Sequence, residues 1–423
     1  MAYQRRVVDD ELDELFTQLP AIAIDGAKGV GKTSTAEERA FGLVKLDSKA
    51  VREGVAADPE SILRRPLPLL IDEWQKVPEV WDVVRRAVDA DRAPGRFLLT
   101  GSATPEPRAT AHSGAGRITR LRMRPMTLSE RGVAEPTITM RELLRGDRPE
   151  LHGTSDLRLA DYASEIVAPG LPGLRGLSPR ATRAALESYV RNAVDRDVPE
   201  AGLQLRRPDV MLDWLRAYAA ATASTASYTE ILDAATAGAT DKPAKATTIA
   251  YRDALAQIWL LDPVPAWAPV GAEFTRLGQT PKHHLADPAL AAHLLGLGLD
   301  ALIDGDGRPL GPQESTMLGR LFESLVTLCV RVMAQAAEST VGHLRTRNGD
   351  HEVDLVVVRG DGRVVAVEAK LASTVSDRDA RHLRWFADQL GPRLLDAIII
   401  NTGPTAYRRA DGIGVVPLAV LGS

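Results

Sequence analysis

The chain has little of three features that would narrow its class: cysteine, long apolar runs and an excess of one charge. Its only cysteine, Cys329, cannot form an intrachain disulfide, and the apolar helical run around it predicts a core residue. No stretch reaches the roughly 18 apolar residues of a membrane span, so we expect no membrane partner. A formal net charge of −4 carries no overall signature of nucleic-acid binding, although it is compatible with a local basic face.

The beginning of the chain also lacks the apolar segment of a secretory signal. Five acidic residues stand in its place: Asp9, Asp10, Glu11, Asp13 and Glu14. We therefore expect a cytoplasmic protein. The 423 residues are enough for roughly two to four domains, each with its own core.

The most informative stretch that is present is a glycine-rich run near the start of the chain. Its residues are Gly26, Ala27, Lys28, Gly29, Val30, Gly31, Lys32 and Thr33, followed by Ser34. They fit the phosphate-binding pattern G-x-x-x-x-G-K-[ST], between a predicted strand at 21–24 and a predicted helix at 34–41. Backbone N–H groups and the helix N-terminus would bind phosphate, Lys32 would reach the outer phosphates, and Thr33 would hold Mg²⁺. The alternative, an accidental glycine-rich turn, fits this strand–loop–helix context poorly.

Two further strand ends predict a hydrolytic site. The apolar run 69–71 ends in Asp72, which can orient Mg²⁺, and Glu73, which can act as a general base towards water. The buried run 96–99 ends in Thr100, and Thr100 or Ser102 could sense the terminal phosphate or orient the water. The alternatives are a charged helix N-terminus for the acids and a strand-end turn for the threonine.

The segment that follows is locally basic. It contains Arg108, Arg117, Arg120, Arg122, Arg124 and Arg131. We regard Arg117 as a candidate to stabilise charge on the transferred phosphate, either within the chain or on a neighbouring subunit. Alternation puts Arg120, Arg122 and Arg124 on one face of a strand, which we interpret as a solvated basic edge.

The middle of the chain contains a candidate helix-turn-helix. A helix near 228–232 precedes a second helix at 245–260, and residues 261–267 could form a wing. The second helix would present Lys245, Thr248, Tyr251 and Arg252 to DNA. The alternative is a plain packing or protein-contact module.

A second charged cluster is predicted near the far end of the chain. Asp354 lies in a predicted strand at 352–358, and Glu368 and Lys370 lie in the next strand, across a turn at 360–362. Glu323 on the preceding helix could complete the cluster, which resembles the PD-(D/E)xK nuclease core. That resemblance implies Asp354 and Glu368 holding a second Mg²⁺ or Mn²⁺, Glu323 as an outer acid and Lys370 orienting water or stabilising the phosphate. An ordinary charged hairpin face, or an inert scaffold of the same fold, is the alternative.

Taken as a whole, the chain resembles a bacterial and archaeal family of AAA-type ATPases fused to a C-terminal domain of unknown function. The matching residues include the glycine-rich run, 71–75, 99–103, 116–117, 124–126, Tyr189, 196–197, 281–282, 319–323, 351–354 and 368–370. The resemblance implies ATP binding and hydrolysis, and Arg196 is a second candidate for a phosphate-contacting arginine.

The predicted fold is α/β with three parts. Residues 1–135 form a P-loop NTPase domain with a parallel sheet, 136–310 a helical region with a winged-helix-like segment, and 311–423 a restriction-endonuclease-like α/β domain. The leading hypothesis is Mg²⁺-dependent ATP hydrolysis that drives a conformational switch or remodelling step through the C-terminal domain. The alternatives are an ATP-regulated, metal-dependent DNA nuclease and a nucleotide-dependent scaffold with little turnover. DNA, a protein partner and a second copy of the chain are all left open as partners.

Overall fold

The computed structural model describes residues 3–103, 114–237, 245–268, 280–305, 307–346 and 349–423. In these ranges the first elements are α1 (Val7–Phe16), β1 (Ala21–Asp25), α2 (Lys32–Glu37), β2 (Gly42–Lys45), α3 (Lys49–Ala57), β3 (Leu69–Asp72), α4 (Glu79–Ala90), β4 (Phe97–Gly101) and β5 (Thr119–Arg122). Arg108, the first arginine of the basic segment, lies outside the described residues.

The five strands form one parallel sheet in the order β2-β3-β4-β1-β5. Every residue of β1, β3 and β4 is buried, as expected when crossover helices cover both faces of a parallel sheet. The predicted strand at 21–24 and the apolar runs at 69–71 and 96–99 agree with β1, β3 and β4 to within two residues. The helix after the glycine-rich run is shorter than predicted, because the N–H groups of Phe41 and Gly42 already bond to the Pro68 carbonyl at the start of β2.

A helical region follows the sheet. Its elements are β6 (Ile138–Thr139), α5 (Met140–Leu143), α6 (Leu159–Val167), α7 (Pro179–Asn192), α8 (Val198–Glu200), α9 (Pro208–Ala220), α10 (Tyr228–Ala235), α11 (Lys245–Gln257), α12 (Pro288–Leu294) and α13 (Leu299–Leu302). A π-helical turn, Ala193–Asp197, joins α7 to α8. One hydrophobic core continues from this region into the C-terminal part, where the ring of Tyr162 packs edge-on against Phe322 at 5.7 Å.

The helix predicted to contact DNA is packed into this core. Thr248 and Tyr251 of α11 are only 5% and 7% exposed, so they cannot reach a DNA groove. Arg252 lies over the ring of Tyr228 and pairs with the neighbouring Asp253. The predicted DNA-contacting face is therefore wrong for Thr248 and Tyr251, because burial of the amphipathic helix takes priority over a polar role; the side chain of Lys245 lies outside the described residues.

The predicted wing does not form a hairpin within the described part of the chain. Residues 261–267 instead pair with single residues far along the chain. Leu261 faces Leu285, Val264 faces Lys282, and Ala266 faces His343. The segment thus joins the helical region to the C-terminal sheet.

The C-terminal part begins with a long helix. Its elements are α14 (Pro312–Ala336), β7 (Thr340–Arg345), β8 (Glu352–Val358), β9 (Val364–Ala369), α15 (Arg381–Leu390), β10 (Leu394–Asn401), β11 (Tyr407–Arg408), β12 (Gly414–Pro417) and β13 (Leu421–Gly422). Six of these strands form a mixed sheet in the order β11-β12-β10-β9-β8-β7, and β13 pairs with β6. Cys329 is buried on α14, as predicted. No helix in the described ranges is both long and apolar enough to cross a bilayer.

Candidate functional site

The glycine-rich run forms a loop between β1 and α2, at the carboxyl end of the sheet. Gly29 and Gly31 have φ values of 79° and 107°, which L side chains rarely adopt. At Gly26 a Cβ atom would lie 2.2 Å from the Met123 carbonyl oxygen, so only glycine permits the contact between the loop and the residue after β5. The backbone can therefore turn its N–H groups inward, as a phosphate site requires.

The Lys32 ammonium lies inside this loop. Its Nζ donates to the carbonyl oxygens of Gly26 at 2.7 Å and Ala27 at 2.8 Å, and the residue is 6% exposed. Burial lowers the pKa of Lys32 to about 8. An anion in the loop would compensate for this desolvation, so Lys32 has a strong electrostatic reason to bind phosphate.

Asp72, at the end of β3, accepts hydrogen bonds from two neighbouring elements. Thr33 Oγ1 donates to Asp72 Oδ1 at 2.8 Å, and Thr100 Oγ1 donates to the same atom at 2.6 Å. A hydroxyl and a carboxylate suit Mg²⁺, which prefers oxygen ligands and takes others from water and substrate phosphates. Thr33 and Asp72 therefore fit the predicted ion. The hydroxyl of Thr100 orients Asp72 in this structure, and its predicted contact with phosphate stays a prediction.

Glu73 has an unusual backbone and a fixed carboxylate. Its φ of 56° and ψ of 42° lie in the left-handed region, which non-glycine residues rarely adopt outside special sites. Its Oε2 accepts from Gln75 Nε2 at 2.5 Å and from Ser102 Oγ at 3.1 Å. Gln75 was not predicted as a site residue, although it belongs to the stretch 71–75 that carries the family resemblance. Ser102 lies against Glu73, and its predicted role in sensing phosphate or orienting water stays a prediction.

The helical region contacts the loop from outside. Lys28 Nζ forms an ion pair with Asp197 at 2.8 Å, and the Tyr189 hydroxyl donates to the Lys28 carbonyl oxygen at 3.0 Å. Both partners come from α7 and the π-helical turn after it. Arg196, adjacent to Asp197, is exposed. These contacts join the loop to the region beyond the sheet, a link that no local sequence pattern indicates.

Arg117 lies at the wrong edge of the sheet for a role within the chain. It precedes β5, whose Thr119 is level with Ile22 of β1, whereas the loop begins after Asp25. Arg117 pairs instead with Asp89 in the last turn of α4, at 2.8 Å. At about 3.3 Å per residue along a strand, the length of β5 separates Arg117 from the loop, which lies at the other end of the strands. The role within the chain is therefore wrong, and a role on a neighbouring subunit stays a prediction.

Of the three alternating arginines, Arg120 is exposed, whereas Arg122 and Arg124 are largely covered. Arg120 pairs with Asp25 at 3.0 Å, and Arg124 pairs with Asp262 at 2.8 Å. The guanidinium of Arg122 lies 3.7 Å from the centre of the Trp259 ring, and burial lowers its pKa to about 9. The predicted solvated edge is therefore wrong for Arg122 and Arg124, because the segment after α11 packs against them, whereas Arg120 is exposed.

The charged residues of the C-terminal part do converge, around a lysine that sequence analysis did not include. Lys282 Nζ lies 2.8 Å from an oxygen of each of three carboxylates, those of Glu323, Glu352 and Asp354. Burial would lower the pKa of Lys282, but these acids raise it well above its ordinary value. The only earlier signal was the pair Pro281-Lys282 among the matching family residues.

Glu368 and Lys370 complete this cluster. Lys370 Nζ pairs with Glu368 Oε1 at 2.7 Å, and burial raises the pKa of Glu368 to about 8. Burial also raises the pKa of Glu323, to about 7. Over the described ranges, no group of three or more His, Cys, Asp or Glu is arranged to hold a metal ion. The predicted metal role of Glu323, Asp354 and Glu368 therefore does not fit, because the Lys282 ammonium occupies the centre of the cluster.

Comparisons with known proteins match three separate stretches of the chain. Residues 18–131 match the family described as AAA domain, residues 159–301 match a domain of unknown function (DUF8612), and residues 318–421 match another (DUF4143). Uncharacterized proteins of Mycobacterium tuberculosis and Mycobacterium bovis are each 26% identical to the chain, over 99% of its length and 84% of theirs.

Two solved structures are also similar to the chain. A Walker-type ATPase of Pyrococcus abyssi has 17% identity and a TM-score of 0.40, over 68% of this chain and 94% of that one. The ORC2 protein of Aeropyrum pernix, in ADPNP and ADP complexes, has 15% identity and a TM-score of 0.29, over 70% of this chain and 90% of that one. The AAA-type domain predicted from the sequence is confirmed over residues 18–131 by the family match, whereas the two matches that follow it specify no activity.

Proposed function

We propose that the protein is a Mg²⁺-dependent ATPase whose site is formed by the loop at 26–33 and the ends of β3 and β4. One observation carries the proposal. Asp72 accepts the hydroxyls of Thr33 and Thr100 through a single oxygen, while the adjacent Glu73 carboxylate is held by two donors of its own. Two neighbouring carboxylates thus have separate environments, which suits separate roles in metal binding and proton transfer. The AAA match over 18–131 supports the same function.

Each residue of the site has a defined task in this proposal. Lys32 leaves the carbonyl oxygens of Gly26 and Ala27 and pairs with the outer phosphates of ATP, which replaces two neutral acceptors with an anion. Thr33 and Asp72 would hold Mg²⁺, which supplies charge neutralisation at the phosphates when it is bound. Thr100 keeps Asp72 oriented.

Glu73 accepts a proton from the attacking water in this mechanism. Gln75 and Ser102 both donate to its Oε2, so they fix the direction in which the carboxylate points. A base held within hydrogen-bond reach of the water contributes about 10²- to 10⁴-fold to a rate. The donors therefore act as positioning residues for the base.

The contacts of the loop with the helical region suggest how turnover could reach the rest of the chain. Lys28 is both the ion-pair partner of Asp197 and a member of the loop, so phosphate and Asp197 would compete for its ammonium. Release of this pair would loosen the contact between the loop and the turn after α7. We propose this as the first step of the conformational switch.

The decisive experiment compares Glu73→Gln with wild type. We expect kcat for ATP hydrolysis to fall by at least about 100-fold, while the affinity for a fluorescent ATP analogue stays within about twofold, because the substitution keeps the shape and removes only the base. Glu79→Gln, an exposed glutamate at the start of α4, is the matched control and should behave as wild type. Undiminished phosphate release by Glu73→Gln would contradict the assignment of the base.

The scaffold and nuclease alternatives are distinguished from the ATPase by separate observations. A nucleotide-dependent scaffold would bind the analogue without turnover above background, so the same assay distinguishes it. The nuclease alternative has Lys282 at the centre of its expected metal site, and no observation favours it. Cytoplasmic location, DNA, a protein partner and a second copy of the chain stay predictions.

A further inference from the structure

The carboxylate cluster of the C-terminal part contains its own cation. Lys282 belongs to residues 280–287, which lie between the helical region and the C-terminal sheet, and its side chain is fully buried. The backbone on each side is fixed: the N–H of Lys282 donates to the Val264 carbonyl, and the N–H of Val264 donates to the Lys282 carbonyl, each at 2.9 Å. The ammonium is therefore held at a set position among the acids.

The ammonium of Lys282 is surrounded by carboxylates. A lysine ammonium has three N–H donors and no acceptor. It has three carboxylate partners at the same distance of 2.8 Å, Glu323 from α14 and both Glu352 and Asp354 from β8. Two of these contacts, those to Glu323 and Asp354, are hydrogen bonds, and the third, to Glu352, is an ion pair, so three carboxylates compensate the charge of the ammonium.

The negative charge of Asp354 and Glu368 is only partly compensated by their other contacts. Asp354 also accepts the N–H of Ala369 through its second oxygen, at 2.9 Å. Glu368 pairs with Lys370 through one oxygen, and its other oxygen, Oε2, is buried without a hydrogen-bond partner. Four carboxyl groups thus share two lysines, which leaves acidic capacity in the cluster if Lys282 is removed.

We propose that Lys282 is the resident cation of this cluster and takes the position that a divalent metal would otherwise hold. The ammonium and a metal ion would compete for the same oxygens of Glu323 and Asp354. Expelling the ammonium would leave a buried, unpaired charge, which is among the costliest arrangements in a protein. The wild-type cluster is thus closed to Mg²⁺ and Mn²⁺, and it is a latent divalent-cation site. This inference is independent of the proposed ATPase.

The test removes the ammonium and asks whether a metal replaces it. All proteins carry Asp72→Asn, so that Mn²⁺ bound near the loop does not contribute, and no nucleotide is added. Lys282→Met keeps the length and apolar stem of the side chain. We expect it to lower the Tm by about 10 °C without metal and to bind one Mn²⁺ per chain, counted by electron paramagnetic resonance, at least about tenfold more tightly than its parent. Mn²⁺ should restore most of the lost Tm.

The controls separate charge removal from general damage. Lys49→Met, at an exposed lysine of α3, should change neither the Tm nor Mn²⁺ binding. Adding Asp354→Asn to Lys282→Met should abolish the new Mn²⁺ site. A Lys282→Met protein whose Tm is unaffected by Mn²⁺, or that fails to fold with and without Mn²⁺, would overturn the proposal.

A second measurement needs no Lys282 variant. The parent with Lys282 intact is titrated with Mn²⁺ beside the same protein carrying Asp354→Asn. We expect equal Mn²⁺ stoichiometry, because Asp354 is already occupied by the ammonium. The loss of one bound Mn²⁺ on Asp354→Asn would mean that the cluster binds metal with Lys282 in place, and the proposal would be wrong.

Discussion

Thr100 donates a 2.6 Å hydrogen bond to Asp72 Oδ1, so the end of β4 determines the orientation of the carboxylate at the end of β3. Thr33 donates to the same oxygen at 2.8 Å. The two threonines lie on opposite sides of Asp72 along the chain, and only the parallel order of the strands brings them to one atom.

Removing the Thr100 hydroxyl should weaken Mg²⁺ binding without weakening the binding of ATP itself. In Thr100→Val the shape is kept and Asp72 loses a hydrogen bond worth about 1.5–3 kcal/mol for a charged acceptor. We expect the Mg²⁺ concentration for half-maximal ATP hydrolysis to rise by about 10- to 100-fold, while ATP binding without Mg²⁺ is unchanged. Thr100→Ser, which keeps the donor, should stay within about threefold of wild type. An equal loss in both variants would point to packing and not to the hydrogen bond.

Because Lys32 is buried, ATP binding should weaken at alkaline pH. Its pKa of about 8 in the free protein means that the ammonium loses its proton above that pH, while bound phosphate raises the pKa again. Binding must then take up a proton, so affinity should be level below pH 8 and fall by up to about tenfold per pH unit above it. Calorimetry at pH 9 in two buffers of different ionisation enthalpy should detect the uptake. Lys32→Arg, charged at this pH, should not take up a proton.

Asp262 should be critical for stability, since it is paired with both Arg124 and Arg331, at 2.8 and 3.0 Å. In Asp262→Asn, the partly buried positive charges of Arg124 and Arg331 lose their carboxylate partner. The free energy of unfolding should therefore fall by about 3–5 kcal/mol. Burial would raise the pKa of Asp262, but Arg124 and Arg331 hold it well below its ordinary value. The stabilisation is therefore present above about pH 4, the unfolded pKa, and is lost as pH falls further.

Urea unfolding at pH 7 and pH 3 checks this prediction. The difference between wild type and Asp262→Asn should shrink at pH 3, because the unfolded wild-type chain then binds a proton at Asp262 that the folded protein does not bind. Asp253→Asn, which removes an exposed partner of Arg252, is the control and should cost at most about 1 kcal/mol. An Asp262→Asn protein as stable as wild type at pH 7 would contradict the role assigned to this pair.

Arg117 and Arg196 should respond differently to protein concentration. Arg117 lies at the far edge of its own sheet, so any contact with phosphate must be made on another copy of the chain. We expect Arg117→Ala to leave turnover per molecule unchanged in dilute solution and to lower it only where activity rises with concentration. If Arg196 contacts the transferred phosphate within its own chain, Arg196→Ala should lower turnover by at least about 10³-fold at every concentration. A loss at high dilution in Arg117→Ala would show that the placement of this arginine is incorrect.

Much of the N-terminal domain could be predicted because its signals are local. An apolar run, a glycine-rich turn and a helix start are each encoded by neighbouring residues, and parallel strands order their carboxyl ends at one edge. Asp72 and Thr33 therefore come together as predicted. The role of Thr100 and the Gln75–Glu73 contact were not predicted, because the direction of a side chain at a strand end depends on packing.

The errors came from charged and amphipathic segments, whose surroundings are set far along the chain. Thr248 and Tyr251 suit a DNA-contacting helix equally well until a core covers them. Arg122 and Arg124 suit a solvated edge until Trp259 and Asp262 pack against it. In each case an element distant in sequence determined whether a polar face meets water or protein.

The sequence by itself determined the phosphate loop and its acidic partners, because the residues of that site belong to short, contiguous patterns. Only the tertiary structure decided the character of the second cluster. Glu323, Asp354 and Glu368 converge as expected, but Lys282, more than 40 positions before the first of them, provides the cation. Electrostatic compensation inside a protein depends on which charges the fold brings within hydrogen-bond distance, and that distance has no local signature in the sequence.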